Sequence, residues 1–196
     1  MSSDFPGELI VMALPLEAQG VFEAAGVAVL FTGVGKVNAA HALTRQLMEY
    51  RHANRTLPRV VNFGTAGSQR LPTGSLVECV SVAQRDMDVS GLGFPVGVTP
   101  FEDVPAMLEF APRFPHLQPG TCGSGDSFVM TALATQFDVL DMEAYALAKV
   151  CWREGVPFTA VKFVTDGADP AAGGDWQSNL HRAADLFYDC YRRLGG

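Results

Sequence analysis

Five short stretches of this chain carry residues that can donate, accept or hold a proton, and each follows an expected strand. They are Glu17 after Glu8 to Leu14, Gly64-Thr65-Ala66-Gly67 after Pro58 to Phe63, Ser124-Gly125-Asp126-Ser127-Phe128, Asp141-Met142-Glu143, and Thr165-Asp166. Carboxylates held apart in one cleft can divide acid and base work, one protonating a leaving group while another activates water. Each stretch also has a plain structural reading. Asp166 suits a turn or an Asx cap, and Glu143 suits a first-turn acid answering a helix dipole.

Other chemistries find less support. Gly33-x-Gly35-Lys36 has neither the full spacing of a phosphate loop nor the third glycine of a dinucleotide fingerprint, so it reads as a tight turn between a strand and a helix. Cys79, Cys122, Cys151 and Cys190 lie far apart without a C-x-x-C pair, and His41, His52, His116 and His181 are scattered. The cysteines are expected to be buried thiols, and no metal or other cofactor is expected.

Strand-like and helix-like segments alternate along the chain, the pattern of an α/β layer fold. Expected strands are Glu8 to Leu14, Val27 to Phe31, Pro58 to Phe63, Leu76 to Ala83, Thr121 to Gly123, Phe137 to Leu140 and Pro157 to Thr165. Expected helices are Leu16 to Ala25, Val37 to Tyr50, a piece around Val129 to Thr135, Met142 to Glu154 and an amphipathic closing helix from Trp176 to Leu194. Arg85 to Pro119 holds six prolines and reads as a long loop, a pocket wall or a subunit contact. In open α/β sheets ligands bind beyond the carboxyl ends of the strands, where the five stretches fall.

The chain has 196 residues, 48% hydrophobic and 18% charged, a composition that fits one well-filled globular domain spanning 1–196. Its net charge of -7, from 14 Lys+Arg against 21 Asp+Glu, argues against nucleic acid or an anionic membrane as partner. The start has no signal-peptide pattern and the run Leu9 to Leu16 is too short to span a bilayer, so the expected location is cytoplasmic.

In combination the motifs resemble the purine nucleoside phosphorylase and nucleosidase superfamily, on its methylthioadenosine/S-adenosylhomocysteine nucleosidase-like branch. The resemblance rests on Thr32-Gly-Val-Gly-Lys-Val-Asn-Ala-Ala40, Asn62-Phe-Gly-Thr-Ala-Gly67, Arg85-Asp-Met-Asp-Val89, Ser124 to Phe128, Asp141-Met-Glu-Ala144 and Val161-Lys-Phe-Val-Thr-Asp-Gly-Ala-Asp169, in the family's order. It implies a three-layer α/β/α sandwich around a twisted mixed sheet, and cleavage of the bond between a purine and ribose. It further implies that Asp166 is the acid protonating N7 of the base, with Thr165 orienting it. Glu17 matches the residue that activates water, Glu143 the one holding the ribose hydroxyls, and Met142 the one packing on the sugar. Phe128 matches the stacking aromatic, and the Val129 backbone would read the purine edge. Trp176 matches an aromatic in a covering loop, although a core tryptophan fits its position nearly as well.

Phosphorylases need arginines to clamp phosphate. Here Asn62 stands where related phosphorylases carry one, and the first loop offers Pro15 and Glu17. Thr65 and the amides of Gly64 to Gly67 can still bind an anion. Hydrolysis is therefore favoured, with a 5′-modified adenosine as substrate; phosphorolysis, futalosine hydrolysis and nucleoside binding without turnover are the alternatives. Lys162 replaces an arginine common in relatives, and Asp141 a glutamate. The segment after Val89 is short, with Leu92 and Phe94 as candidates for a contact across a homodimer.

Overall fold

The computed structural model describes residues 7–131 and 136–194. Fourteen elements follow in chain order: β1 (Glu8–Met12), α1 (Pro15–Ala18), α2 (Val21–Ala24), β2 (Val29–Phe31), α3 (Lys36–His52), β3 (Arg59–Gly67), β4 (Leu76–Gln84), β5 (Met107–Glu109), β6 (Gln118–Ser124), β7 (Val139–Asp141), α4 (Ala144–Glu154), β8 (Phe158–Asp166), α5 (Ala172–Asn179) and α6 (Ala183–Arg192). The strands form one mixed sheet in the order β2-β1-β3-β7-β6-β4-β5, with β8 pairing to both β3 and β4. β1, β2, β3 and β8 run parallel, β4 runs antiparallel to β8, and the single pair Gly67–Leu140 joins β3 to β7. That last pair curls the sheet so that the ends of β3, β7 and β8 meet.

Alternation along the strands explains the layers. Leu9, Val11, Val60, Ala160 and Val164 point to one side, where α3 and α4 bury Leu43, Leu47, Leu147 and Cys151. Ile10, Met12, Val61, Phe63, Val161 and Phe163 point to the other, against Phe22 of α2 and Phe187 of α6. A sheet covered on both faces needs apolar side chains in both directions, so its strands read as unbroken apolar runs. β8 is buried at all nine positions. The expected α/β/α layering and mixed sheet are therefore observed, and all four cysteines are buried and unbridged.

Several boundaries differ from the sequence reading. The helix expected over Leu16 to Ala25 is two short ones, because Gln19 and Gly20 both take left-handed backbone (φ 50 and 72). The closing helix breaks into α5, a single 3₁₀ turn at Leu180–Arg182, and α6. The strand over Pro58 to Phe63 runs on through the glycine motif to Gly67, since the paired backbone of β8 continues beside it. Part of the helical piece expected around Val129 to Thr135 lies outside the described residues; Val129 and Met130 are irregular. The long loop holds β5 and a 3₁₀ turn at Ser90–Leu92.

Candidate active site

A cavity of about 490 Å³ opens at the strand ends and takes its walls from Glu17, Thr65, Phe128, Val129, Met142 and Glu143, together with Thr165, Asp166 and Trp176. These nine residues, each given a part in the site by the sequence, thus line one cavity of nucleoside size, whereas Ser124, Asp126, Leu92 and Phe94 do not line it.

Glu17 stands in the first turn of α1, where Pro15 presets the helical backbone. Its carboxylate reaches back to the amides of Ala13 and Leu14 at 3.1 and 3.2 Å through Oε2. Its Oε1 accepts from the Thr65 amide at 2.8 Å and the Thr65 hydroxyl at 2.9 Å. Glu17 is 4% exposed, so four donors replace the water it loses.

Asp166 owes its direction to a break in strand register. Ala66 pairs with Val164 but Gly67 pairs with Asp166, leaving Thr165 as an extra residue, a bulge that re-aims the side chains around it. The Thr165 hydroxyl then donates to Asp166 Oδ2 at 2.8 Å, and the Ala168 amide to Oδ1 at 3.0 Å. Burial pushes the Asp166 carboxyl above the ordinary range, against the pull of these two hydrogen bonds, with the charges of Asp175 and Asp169 adding to the rise. Gly67 makes room for this: a Cβ there would lie 2.6 Å from Asp166 Oδ1 and 3.0 Å from Ala168 Cβ. Gly67→Ala is expected to cost about 1–3 kcal/mol of stability as an overpacked core change, measurable by denaturant unfolding.

Glu143 precedes α4 and accepts the Gly35 amide at 2.8 Å through Oε1; its other oxygen has no donor among the described residues. Burial, then the Asp141 charge, pushes it up to about 7. Since the unfolded carboxyl titrates near 4.5, the folded chain binds more protons between those values, and stability falls as pH rises through them. Glu143→Gln is expected to stabilise the protein by about 1–3 kcal/mol at pH 8, with the gain shrinking as pH falls from about 7 and gone below about 4.5; thermal melts across that range check it.

Beneath these groups lies a buried ion pair that the sequence reading did not place. Lys162 Nζ is 2.8 Å from Asp141 Oδ2, with the side chains 1% and 0% exposed. Asp141 also accepts from the Ser124 hydroxyl and the Ala144 amide. Burial opposes the charge on both, but their mutual attraction outweighs it: the lysine ends above its ordinary range and the aspartate below. The paired departures at positions 141 and 162 therefore form one unit, a shorter acid meeting a lysine. Gly64 lets it fit, since a Cβ there would lie 2.9 Å from Lys162 Nζ.

Arg85 is the one basic side chain among the described residues lining the cavity. Its Nη2 is spent on the carbonyls of Ser127 and Gly125 and on the Ser127 hydroxyl. In the sequence Arg85 stands within a motif without a role of its own; the loop it ties down reveals one. Asn62 is buried with its amide on the carbonyls of Val11 and Phe63, a tie between strands rather than an anion site. Trp176 is half-buried on α5 and donates from its indole nitrogen to Thr65 Oγ1 at 3.1 Å, so it is a cavity wall and not a core residue.

The phosphorylase superfamily profile matches residues 18–193. The chain belongs to that superfamily. A superfamily relative from Marinomonas sp. (strain MWYL1), named 5′-methylthioadenosine/S-adenosylhomocysteine nucleosidase, is 30% identical over 188 residues, 85% of this chain and 79% of the relative. One of the same name from Anoxybacillus flavithermus is 31% identical over 84% of this chain and 78% of its own length. Among solved structures, the Helicobacter pylori enzyme of that name in complex with butyl-thio-DADMe-Immucillin-A superposes with a TM-score of 0.84 at 20% identity, covering 97% of this chain and 99% of that one. The futalosine hydrolase of Helicobacter pylori gives 0.81 at 21% identity over 91% and 92%. These superfamily structures share this fold.

Proposed function

We propose that this superfamily member is an N-glycosyl hydrolase acting as one functional domain on 5′-modified adenosines, of the methylthioadenosine and S-adenosylhomocysteine class. The observation that carries the reading is the pair Glu17 and Asp166, two buried carboxylates in one cavity with different surroundings. Glu17 is bonded at Thr65 and Asp166 sits beside Gly67, anchor points two residues apart, or roughly 7 Å of extended strand.

In the proposed reaction, protonated Asp166 gives its proton to N7 of the purine as the glycosidic bond breaks, and Thr165 keeps the acid oriented. Positive charge then develops at the sugar, near the carboxylates of Glu143 and Glu17. Glu17 takes a proton from water while the water oxygen bonds to the anomeric carbon, releasing free base and free sugar. Glu143 would accept hydrogen bonds from the ribose hydroxyls, Met142 pack on the ring, Phe128 stack on the base, and the Val129 backbone meet its edge. Water is favoured over phosphate because the one lining arginine among the described residues turns its Nη2 to the carbonyls of Gly125 and Ser127, and the Asn62 amide is held by the carbonyls of Val11 and Phe63. Relatives named as nucleosidases support the same choice.

Self-association and location belong to this reading. Leu92, Val96 and Phe101 of the long loop are 73%, 58% and 94% exposed, an apolar surface that supports a homodimer. Four buried free thiols suit a reducing, cytoplasmic compartment. Incubation with methylthioadenosine, S-adenosylhomocysteine, inosine and futalosine, each with and without phosphate, tests the substrate class. Base release from the first two without phosphate is expected; preference for inosine or futalosine would reassign the substrate.

A further inference from the structure

Helix α5 makes two polar contacts with the strands it covers, and each reaches a threonine bonded to a candidate catalytic carboxylate. Trp176 Nε1 donates to Thr65 Oγ1 at 3.1 Å, and that hydroxyl donates to Glu17 Oε1 at 2.9 Å. One turn later Asn179 Nδ2 donates to the Thr165 carbonyl at 3.0 Å, and the Thr165 hydroxyl donates to Asp166 Oδ2. We propose that Trp176 is a positioning residue for Glu17, acting through its indole N–H on the Thr65 hydroxyl rather than only as a cover over the substrate. The inference rests on the hydrolytic reading of the site.

Glu17 can receive a proton only where one of its donors gives way. A carboxylate offers about four acceptor sites, and Glu17 meets four donors: the amides of Ala13, Leu14 and Thr65 and the Thr65 hydroxyl. Three are backbone groups fixed by the fold. The hydroxyl alone can turn about its C–O bond, so it is the donor that gives way when a water presents its proton to Oε1. That rotation is useful only if the Thr65 oxygen itself stays in place. Trp176 supplies the anchor, since its N–H occupies an acceptor site of that oxygen, whichever way the hydroxyl proton points. The step balances: the hydroxyl turns aside, the water proton passes to Glu17 Oε1, and the remaining oxygen bonds to the anomeric carbon. A ring that merely covered the substrate would need no N–H, and phenylalanine would serve it equally well.

Trp176→Phe keeps the aromatic face and removes the donor. It is expected to lower kcat about tenfold, the scale of one lost hydrogen bond acting in the reaction step, with KM within about twofold of wild type. The acid limb of its pH–rate profile, which reports the base, is expected to shift. Trp176→Leu, which also loses the ring, adds a rise in KM. In a Thr65→Val background the Trp176→Phe change is expected to have no further effect on kcat, because the oxygen it acts through is gone. A Trp176→Phe enzyme with wild-type kcat and pH profile, or penalties that simply add in the double variant, would overturn the proposal. The hydrogen bond has its own readout in the ¹H–¹⁵N signals of the two indoles, Trp152 and Trp176. Thr65→Val should move the Trp176 signal, and an unmoved signal also overturns the proposal. An inactive wild-type enzyme would instead remove the hydrolytic reading, leaving the indole signal to decide the bond.

Discussion

Asp166→Asn should lower kcat for base release by roughly 10²–10⁴-fold, the range a positioned general acid contributes, while the protein stays folded. Asparagine keeps the shape and can still accept from the Ala168 amide, but it has no acidic proton to give to the base. The local bonding can adapt. Thr165 already lies 3.3 Å from the Ala66 carbonyl, so its hydroxyl can donate there and accept from the new amide. Because burial holds the Asp166 carboxyl above its ordinary range, removing the group also removes an ionisation that folding disfavours. The melting temperature is therefore expected to match or exceed wild type. The wild-type rate should fall as pH rises through the raised value, when the acid loses its proton, and this alkaline limb should vanish from the residual activity of the variant. Full activity in Asp166→Asn would move the acid role to another group.

Glu17→Gln should reduce kcat on a similar scale, about 10²–10⁴-fold, but with a different signature in stability. All four donors around Glu17 point at its two oxygens. A glutamine must turn its own N–H groups toward one of those pairs, either the amides of Ala13 and Leu14 or the amide and hydroxyl of Thr65. The hydroxyl can turn away, whereas a backbone amide cannot, so at least one buried donor loses its partner. That costs about 1–3 kcal/mol, and the melting temperature should drop. The contrast separates the two carboxylates: both variants lose turnover, and only Glu17→Gln loses stability. Equal melting temperatures would show that the donor set around Glu17 is less rigid than its geometry states.

The layers and the cavity residues were legible because their causes are local or periodic. Apolar runs of strand length announce a sheet covered on both faces, and Glu17, Glu143 and Asp166 announce themselves by following such runs. The missing parts have causes that are not local. Nothing near residue 162 says that its ammonium meets Asp141, because β8 and β7 come together only where Gly67 pairs with Leu140 and the sheet curls. The register break that turns Asp166 inward needs β3 beside β8, and Thr165 alone reads as an ordinary β-branched strand residue. Arg85 was visible as part of a motif, but its engagement with Ser127 depends on the neighbouring ends of β4 and β6. The closing helix reads as continuous because amphipathic spacing runs through Leu180 and Ala183, while the backbone tightens into a 3₁₀ turn at Leu180–Arg182.

The chemistry is tested most directly by the origin of the oxygen on the sugar product. Turnover of methylthioadenosine in phosphate-free buffer made with ¹⁸O-labelled water should yield unlabelled adenine and a methylthioribose carrying one ¹⁸O at its anomeric carbon. Release of base only after phosphate is added, with a sugar 1-phosphate as product and no solvent label, would contradict the account and make the enzyme a phosphorylase.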